Sequence, residues 1–418
     1  MAKHSVIRFQ KPDAVEDPLT ALLREGAQQL IQNAVEAELA QLLTGYAGET
    51  DGRGRTAVVR NGYHPTRTIL TGIGPVPVQI PKVRARTGEA VVFHSSLVPP
   101  YVRRAKTLDA ALPWLYLKGI STGQMAEALA VLVGPGAKGL SPPVISRLKG
   151  QWSGEYAAWR TRRLDQDRWV YLWADGIYSG LRAEGGRLCT LVVVGVNGRG
   201  EKHFLAIEDG VRESTQSWRE VLLDLKARGL KQPPELAVGD GSLGFWAALD
   251  EVFPKTRRQR CWVHKTANIL NSLPKSVQPK AKGALHEIWQ APTRKDAEHA
   301  FDRFIETFEA KYPKAVAILV KDREALLAFY DFPAEHWVHL RTSNPIESVF
   351  GTIRHRTDQA RGCVTRDTML AFIYKLGMCA ESRWCRIRGF QHLAKVITGV
   401  PFKDGVEVTK SADRRSAA

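Results

Sequence analysis

The sequence predicts a mixed α/β core with mainly helical regions before and after it. Strand patterns are densest between Trp169 and about Leu273, where three apolar runs separated by short turns precede an alternation of helices and strands. Apolar residues at three- and four-residue spacing dominate the regions on either side. With 418 residues, the chain is long enough for two to three domains.

The first region begins with a helix. Asp17 and Pro18 are an N-cap followed by a first-turn proline, and Gly45 can end the helix. The apolar residues that recur at helical spacing are Leu19, Leu22, Leu23, Leu30, Ile31, Ala34 and Leu42. We therefore expect an amphipathic helix.

A strongly basic window follows, from Arg53 to Lys106. It contains ten basic residues and a single acidic one, Glu89. Apolar residues alternate near Val76 and Val78, but the prolines at 75, 77 and 81 would remove ladder hydrogen bonds from a central strand. We expect an edge ribbon or extended arm, which suits a DNA groove, with a simple surface hairpin as the alternative.

Composition and charge narrow the class of protein. The chain has 60 Lys and Arg against 43 Asp and Glu, a formal net charge of +17, which favours a polyanionic partner such as nucleic acid. The 44% hydrophobic content argues against general disorder, and the longest apolar run, Cys189 to Val196, is too short to cross a bilayer. Five scattered cysteines and an amino terminus without an apolar signal stretch lead us to expect a cytoplasmic protein.

The sequence pattern of the second region, from about Leu108 to Trp152, predicts three short helices. The last of them, Val144 to Trp152, follows Ser141-Pro142-Pro143 and carries Arg147. Three short helices with a basic final one resemble a helix-turn-helix, whose last helix can enter the major groove. Plain helical packing is the alternative.

The third region supplies the predicted sheet. Its strands are Trp169–Asp175, Leu188–Val196, His203–Ile207, Leu236–Asp240 and Gln259–Val263, with helices from about Ser214 to Leu230 and from Phe245 to Val252. Three antiparallel strands followed by helix-strand-helix-strand is the order expected of a ribonuclease-H-like core. The region after about Pro274 is mostly helical.

Two aspartates end strands that this order makes parallel neighbours. Asp175 ends the first strand and Asp240 the fourth, so their carboxylates should lie side by side at one sheet edge. Like charges about 4 Å apart repel by about 4 kcal/mol at an effective dielectric constant near 20. Divalent cations relieve that repulsion, and Mg²⁺ prefers such oxygen ligands. Taken singly, each aspartate could equally be a turn or N-cap residue.

A third acidic group and a Cys-His pair complete the set of candidate site residues. Ser343 or Asn344 with Pro345 starts a helix whose first turn contains Glu347, where the helix dipole alone also favours a negative charge. Cys261 and His264 could be half of a zinc site, but zinc requires about four ligands. We favour a buried cysteine and a core or supporting histidine at a strand end.

Together these motifs resemble the DDE transposases of the Mutator type, in their bacterial insertion-sequence branch. The resemblance spans nearly the whole chain. Its segments are Arg60-Asn61-Gly62-Tyr63, Thr71-Gly72-Ile73-Gly74, Pro81-Lys82-Val83-Arg84, Asp175-Gly176-Ile177-Tyr178, Gly239-Asp240-Gly241, Gln259 to His264, His336-Trp337, Arg341 to Glu347, Arg354 and Arg361-Gly362-Cys363.

The resemblance implies a site and a reaction. Asp175, Asp240 and Glu347 would be the catalytic, metal-binding triad, with Cys261 and His264 as the family's CxxH signature beside it. Two Mg²⁺ ions, for which Mn²⁺ can substitute, would support hydrolysis and then strand transfer at DNA ends. This chain departs from many relatives after the histidine, at Ala267-Asn268, and after the glutamate, at Ser348 to Gly351.

The resemblance also implies the partners and the domain plan. We expect binding to double-stranded DNA, both terminal inverted repeats and target, by a homodimer or larger synaptic assembly associated with the nucleoid. The predicted DNA contacts are Arg60, Arg84, Arg86, Arg147, Arg354, Arg361 and a stacking Trp337, for which a core position is the alternative. The predicted divisions are residues 1–106 and 107–165 for DNA binding, 166–273 and 336–395 for the core, 274–335 for an all-α insertion and 396–418 for a disordered tail.

Three other functions remain open on sequence grounds. A tyrosine recombinase would also be basic and helical but would form a covalent phosphotyrosine link to DNA. A structure-selective nuclease on the same core would cut without joining ends. A non-catalytic, transposase-derived DNA-binding protein would bind ends without cutting, although the intact acidic trio argues against it.

Overall fold

The computed structural model describes residues 17–88, 90–118, 120, 122–134, 142–180, 187–359 and 365–408. Within these ranges the chain divides into two compact units, residues 1–146 and 147–418. The predicted DNA contact at Arg361 and the polar end from Lys410 to Ala418 lie outside the described residues.

The amino-terminal unit combines helices with two short β-ribbons. Its elements are α1 (Pro18–Gly45), β1 (Val58–Tyr63), β2 (Arg67–Thr71), β3 (Gly74–Val78), β4 (Pro81–Ala85), α2 (Lys106–Lys118) and α3 (Thr122–Val133). Helix α1 begins as predicted, because the Asp17 carboxylate accepts hydrogen bonds from the backbone N–H groups of Leu19 and Thr20. Only its second half enters the core, through Val35 and Leu39.

The basic window forms two separate antiparallel pairs. Strand β1 pairs with β4, and β2 pairs with β3, with no third strand in either described sheet. Pro75 and Pro77 lie in β3 opposite Leu70 and Thr68. A two-stranded ribbon tolerates these prolines because half of its N–H groups point away from the partner strand. Strands β2 and β3 are joined by two residues, so they form the hairpin that was the alternative for this window.

Helix α4 (Pro142–Arg160) is longer than the predicted Val144–Trp152. Its last turns are apolar: Tyr156 and Trp159 are buried, and the Tyr156 hydroxyl donates to the carbonyl oxygen of Ile207 at 2.6 Å. Packing against the sheet therefore extends the helix beyond the basic stretch.

The second unit is built on a five-stranded mixed sheet, which confirms the predicted α/β core. Its strands are β5 (Trp169–Gly180), β6 (Arg187–Asn197), β7 (Lys202–Gly210), β8 (Leu236–Gly239) and β9 (Arg257–Arg260), in the order β7-β6-β5-β8-β9. Strands β5, β6 and β7 are antiparallel, whereas β8 and β9 run parallel to β5.

Two predicted strand ends are wrong. Strand β5 continues to Gly180, so Asp175 lies within it, because β6 remains paired with β5 as far as Arg187. Strand β9 stops at Arg260, and Cys261 caps α7 (Trp262–Asn271) instead of continuing the strand. Its only neighbour in the described sheet, β8, also ends there.

Helices cover both faces of this sheet. On one face, Leu172 and Ala174 of β5 share a buried cluster with side chains of α5 (Thr215–Ala227) and α6 (Leu243–Val252). Because side chains alternate along a strand, Tyr171, Trp173 and Asp175 project to the opposite face. There the Tyr171 hydroxyl lies 2.8 Å from Nδ1 of His336.

The remaining elements are mostly helical, as predicted. They are α8 (Gln278–Gln290), α9 (Arg294–Phe308), α10 (Pro313–Val320), α11 (Arg323–Leu327), α12 (Trp337–Leu340), α13 (Asn344–Gln359), α14 (Arg366–Glu381), α15 (Leu393–Ile397) and three 3₁₀ turns at Ala328–Asp331, Ala334–His336 and Phe390–His392. None of the helices in the described ranges combines the length and apolarity that a membrane crossing requires.

The predicted disordered tail, 396–418, starts too early. Strands β10 (Phe402–Lys403) and β11 (Val406–Glu407) form a small hairpin. Phe402 is buried, and Gly405 exchanges backbone hydrogen bonds with Tyr330 and Ala334. These contacts order the chain through Val408.

Candidate active site

At the site, the ends of β8 and β9 lie level with Ala174 of β5, the strand to which both run parallel. Ala174 of β5 pairs with Gly239 of β8, which pairs with Arg260 of β9. The residues that follow are Asp175, Asp240 and Cys261. The two aspartates and the cysteine predicted from separate motifs are therefore neighbours at one edge of the sheet.

The two aspartates form one carboxylate group. A carboxylate oxygen of Asp175 and one of Asp240 lie within 4.8 Å of each other. Burial and the adjacent Asp240 charge raise the pKa of Asp175 to about 7. Each side chain is held by a backbone N–H: Gly176 donates to Asp175 Oδ1 and Ser242 to Asp240 Oδ1, both at 2.8 Å.

Glu213 is a third member of this group that the sequence analysis missed. One of its carboxylate oxygens lies within 4.8 Å of those of Asp175 and Asp240. Burial, followed by the Asp240 charge, raises its pKa. It stands immediately before Ser214, the N-cap of α5, and its position at a predicted helix start after a strand was the available signal.

The segment before Glu347 is anchored to the same sheet edge. The Trp262 backbone N–H donates to the carbonyl oxygen of Arg341 at 2.9 Å, and the Trp173 indole N–H lies 3.2 Å from the carbonyl oxygen of Thr342. Helix α13 then begins at Asn344, and Glu347 lies in its first turn as predicted. Anchoring by two tryptophans fixes where that turn starts.

Glu347 lies in a second group, with Cys261 and His264. Its Oε1 accepts a 2.6 Å hydrogen bond from the Ser343 hydroxyl and lies 3.6 Å from Nδ1 of His264. The same hydroxyl oxygen lies 3.3 Å from both Cys261 Sγ and His264 Nδ1. Ser343 therefore contacts all three members of the Cys261, His264 and Glu347 group.

The pKa values of Cys261 and His264 are shifted in opposite directions. A hydrogen bond with Cys261 raises the pKa of His264 to about 9, with Asp175 and Glu347 adding to the effect. Burial raises the pKa of the Cys261 thiol, but hydrogen bonds from His264 and Ser343 outweigh it, and the net shift is downward. His264 thus stands within electrostatic range of both Asp175 and Glu347.

The donor atoms suit a hard divalent cation in the first group. Asp175, Glu213 and Asp240 offer only oxygen atoms, which Mg²⁺ and Mn²⁺ prefer. Gly176 leaves space for this set, since a Cβ atom there would lie 2.7 Å from the Glu213 carboxyl carbon. Glu347 approaches the same edge but is held by Ser343 and His264 in the second group.

The predicted DNA contacts occupy varied environments. Arg84, Arg86, Arg147 and Arg354 are exposed, and Arg354 follows Glu347 by seven residues on α13. Arg60 is exposed but pairs with Glu36 at 2.8 Å. Trp337 is buried, and its indole N–H donates to the carbonyl oxygen of Phe332 at 2.8 Å. This environment favours the core alternative for Trp337.

Comparison with known proteins identifies the family. The family model described as "Transposase, Mutator family" matches residues 2–386. The chain is 51% identical to the transposase for insertion sequence element IST2 of Acidithiobacillus ferrooxidans over 296 residues, which are 70% of this chain and 100% of that protein. It is 46% identical to the transposase for insertion sequence element IS6120 of Mycolicibacterium smegmatis over 306 residues, 73% of this chain and 94% of that protein. More distantly, it is 29% identical to the ISRM5 transposase of Rhizobium meliloti over 367 residues, 87% of this chain and 88% of that protein. The chain belongs to the Mutator family of transposases.

Proposed function

We propose that this chain binds the terminal inverted repeats of an insertion sequence and carries out Mg²⁺-dependent DNA cleavage and strand transfer. The observation that carries the proposal is the register of β5 with β8, which sets Asp175 beside Asp240 at adjacent parallel strands. The strand order β7-β6-β5-β8-β9, antiparallel and then parallel, supports a ribonuclease-H-like core.

The proposed metal site consists of Asp175, Asp240 and Glu347. Burial and the neighbouring Asp240 both disfavour charge on Asp175, so a bound cation would relieve the repulsion between the two carboxylates. Ser343 and His264 orient the Glu347 carboxylate at the same edge. When bound, Mg²⁺ or Mn²⁺ supplies Lewis-acid stabilisation of charge on the phosphate and on the attacking and leaving oxygens.

DNA contacts are assigned on exposure and charge. Arg84 and Arg86 in the amino-terminal ribbon region, Arg147 on α4 and Arg354 on α13 would contact backbone phosphates, which position DNA without reading its sequence. Residues 1–106 and 107–165 would serve as DNA-binding domains and 274–335 as the insertion. Joining two DNA ends calls for at least two protomers, so we include a homodimer or larger synaptic assembly in the proposal.

The test is a cleavage and joining assay on DNA carrying the terminal repeats of the element. Purified full-length protein is incubated with end-labelled DNA and Mg²⁺ or Mn²⁺, and the nicks and joined products are mapped. We expect nicks at the element ends and strand-transfer products. Asp240→Asn should abolish both and retain binding in a mobility-shift assay, whereas Asp250→Asn, an exposed aspartate on α6, should cleave normally.

The alternatives give different results in the same assay. Cleavage without any joined product would support the structure-selective nuclease, and a covalent protein–DNA adduct would support a tyrosine recombinase. Binding without cleavage by the wild-type chain would support a non-catalytic DNA-binding protein. Substantial Mg²⁺-dependent nicking by Asp240→Asn would refute the metal triad.

A further inference from the structure

Glu213 lies at the candidate active site but is not one of the three acidic residues proposed as metal ligands, Asp175, Asp240 and Glu347. Its carboxylate lies with those of Asp175 and Asp240, whereas Glu347 lies with Cys261 and His264. The cluster whose donor atoms are all oxygen therefore consists of Glu213 and the two aspartates.

The fold directs Glu213 to this position from the face of the sheet opposite to Glu347. Asp175 projects to the face covered by α13, so Gly176, the next residue on β5, is directed to the α5 and α6 face. The Glu213 side chain lies over Gly176, where a Cβ atom would be 2.7 Å from its Oε1 atom. Any larger residue at 176 would displace the carboxylate from the two aspartates.

The backbone of Glu213 is also fixed to the loop that carries Asp240. A Cβ atom at Gly244 would lie 2.2 Å from the carbonyl oxygen of Glu213, so the start of α6 approaches this residue closely only because position 244 is glycine. The Ser242 hydroxyl lies 3.4 Å from the same oxygen. The backbone of Glu213 is therefore packed against the segment between Asp240 and α6.

The Glu213 side chain has two neutral hydrogen-bonding neighbours, Ser242 and Tyr178. Burial and then the Asp240 charge raise the pKa of Glu213, whereas Ser242, Tyr178 and His264 lower it, and the net shift is upward. A carboxylate buried beside two others is costly, and it is stabilised when a divalent ion binds all three.

We propose that Glu213 is a metal ligand of this site, so that Asp175, Glu213 and Asp240 form a divalent-cation site that is complete before Glu347 engages. This inference rests on the proposed function. It gives Glu347, which Ser343 and His264 hold at the same edge, a smaller share in cation binding before DNA is present.

The test measures cation binding directly, without DNA and without catalysis. Full-length protein is titrated with Mn²⁺ alone, and free Mn²⁺ is followed by electron paramagnetic resonance. Glu213→Gln should weaken Mn²⁺ binding by about tenfold or more, comparable to the usual effect of altering a metal site. Glu220→Gln, which changes an exposed glutamate on helix α5 just after Glu213, is the matched control and should bind as wild type. Glu347→Gln should lose less affinity than Glu213→Gln.

The outcomes separate this inference from the proposed function. If Asp240→Asn loses Mn²⁺ binding while Glu213→Gln binds as wild type, the role of Glu213 is refuted and the site of two aspartates stands. If Asp240→Asn also binds as wild type, the proposed metal site itself fails. Should Glu213→Gln not fold, judged by its thermal melt, Glu213→Asp keeps the charge on a shorter side chain and should show the same weakening. Unchanged affinity in that variant would equally overturn the inference.

Discussion

The Nδ1 atom of His264 lies 3.6 Å from the Oε1 atom of Glu347, with the Ser343 hydroxyl hydrogen-bonded to the same carboxylate oxygen. His264 belongs to α7 and Glu347 to α13, so this contact joins two helices that follow different strands and turns. Ser343, which contacts both residues and Cys261, is therefore the residue on which the orientation of Glu347 depends.

Replacing Ser343 by alanine should slow cleavage. The hydroxyl donates to Glu347 at 2.6 Å, and a hydrogen bond to a charged group contributes about 1.5–3 kcal/mol, so we expect nicking to slow by about tenfold or more. Ser343→Thr keeps a hydroxyl and should retain intermediate activity. The measurement is the single-turnover nicking rate on terminal-repeat DNA.

The control is Ser272→Ala, which removes a hydroxyl hydrogen bond to the Ile269 carbonyl oxygen away from the site. That variant should nick at the wild-type rate. Equal rates for Ser343→Ala and wild type, in proteins with equal melting temperatures, would show that Ser343 does not orient Glu347.

Asp175 should make the metal-free protein less stable as the pH rises. Its pKa is raised to about 7 by burial and by Asp240, so between about pH 4 and pH 7 the folded chain holds a proton that the unfolded chain has lost. Asp175→Asn removes this effect and should be more stable than wild type above pH 7, by at most roughly 4 kcal/mol.

Urea unfolding without divalent cations, from pH 4.5 to 8.5, measures this difference. The advantage of Asp175→Asn should grow as the pH rises to about 7 and then level off. Adding Mg²⁺ should stabilise the wild type and leave the variant nearly unchanged, because the cation binds the ionised carboxylates. An advantage that does not change with pH would contradict the assigned burial of a carboxylate at 175.

The sequence allowed the sheet order and the position of both aspartates to be predicted, because each depends on local patterns. The apolar run at Leu191-Val192-Val193-Val194 marks a fully buried strand, and the Asn197-Gly198 turn marks a hairpin. The start of the helix that carries Glu347 could also be predicted, since Ser343 and Pro345 are local start signals.

The features that could not be predicted from the sequence depend on tertiary contacts. Trp262 and Val263 have strand-forming side chains, yet they begin helix α7, where the Trp262 N–H donates to the carbonyl oxygen of Arg341, a residue about eighty positions away. Glu213 has no motif of its own, and its role at the site arises from the absence of a side chain at Gly176. The exposure of Leu19 and Leu30 on a helix with an amphipathic pattern likewise could not be inferred from spacing.

Trp337 should contribute to stability more than to DNA binding. It is buried against Phe329 and Tyr330, and Arg341 lies 5.3 Å above its ring. Trp337→Ala should lower the free energy of unfolding by about 3–5 kcal/mol. Trp337→Phe loses the hydrogen bond to Phe332, costing about 1 kcal/mol, and should fold. Folded Trp337→Phe is the informative variant, because a stacking role would weaken its binding to terminal-repeat DNA, whereas a core role leaves that affinity unchanged.

Arg84 should matter more for DNA binding than Arg60, although both lie on the same ribbon, β1 with β4. Arg60 donates to Glu36 at 2.8 Å, which neutralises much of its charge, whereas Arg84 is exposed opposite Val59. Each phosphate contact contributes about 0.9 to the slope of log affinity against log salt concentration. Arg84→Ala should therefore reduce that slope by about 0.9, and Arg60→Ala by clearly less. Mobility shifts over a series of salt concentrations measure both slopes, with Arg303→Ala, which changes an exposed arginine on α9, as the control.

In a Glu36→Gln background, Arg60→Ala should reduce the slope by more than it does in the wild type, because the Glu36 change releases the Arg60 guanidinium for a phosphate. Equal slopes for wild type, Arg84→Ala, Arg60→Ala and Arg303→Ala would remove the ribbon from the DNA-binding surface.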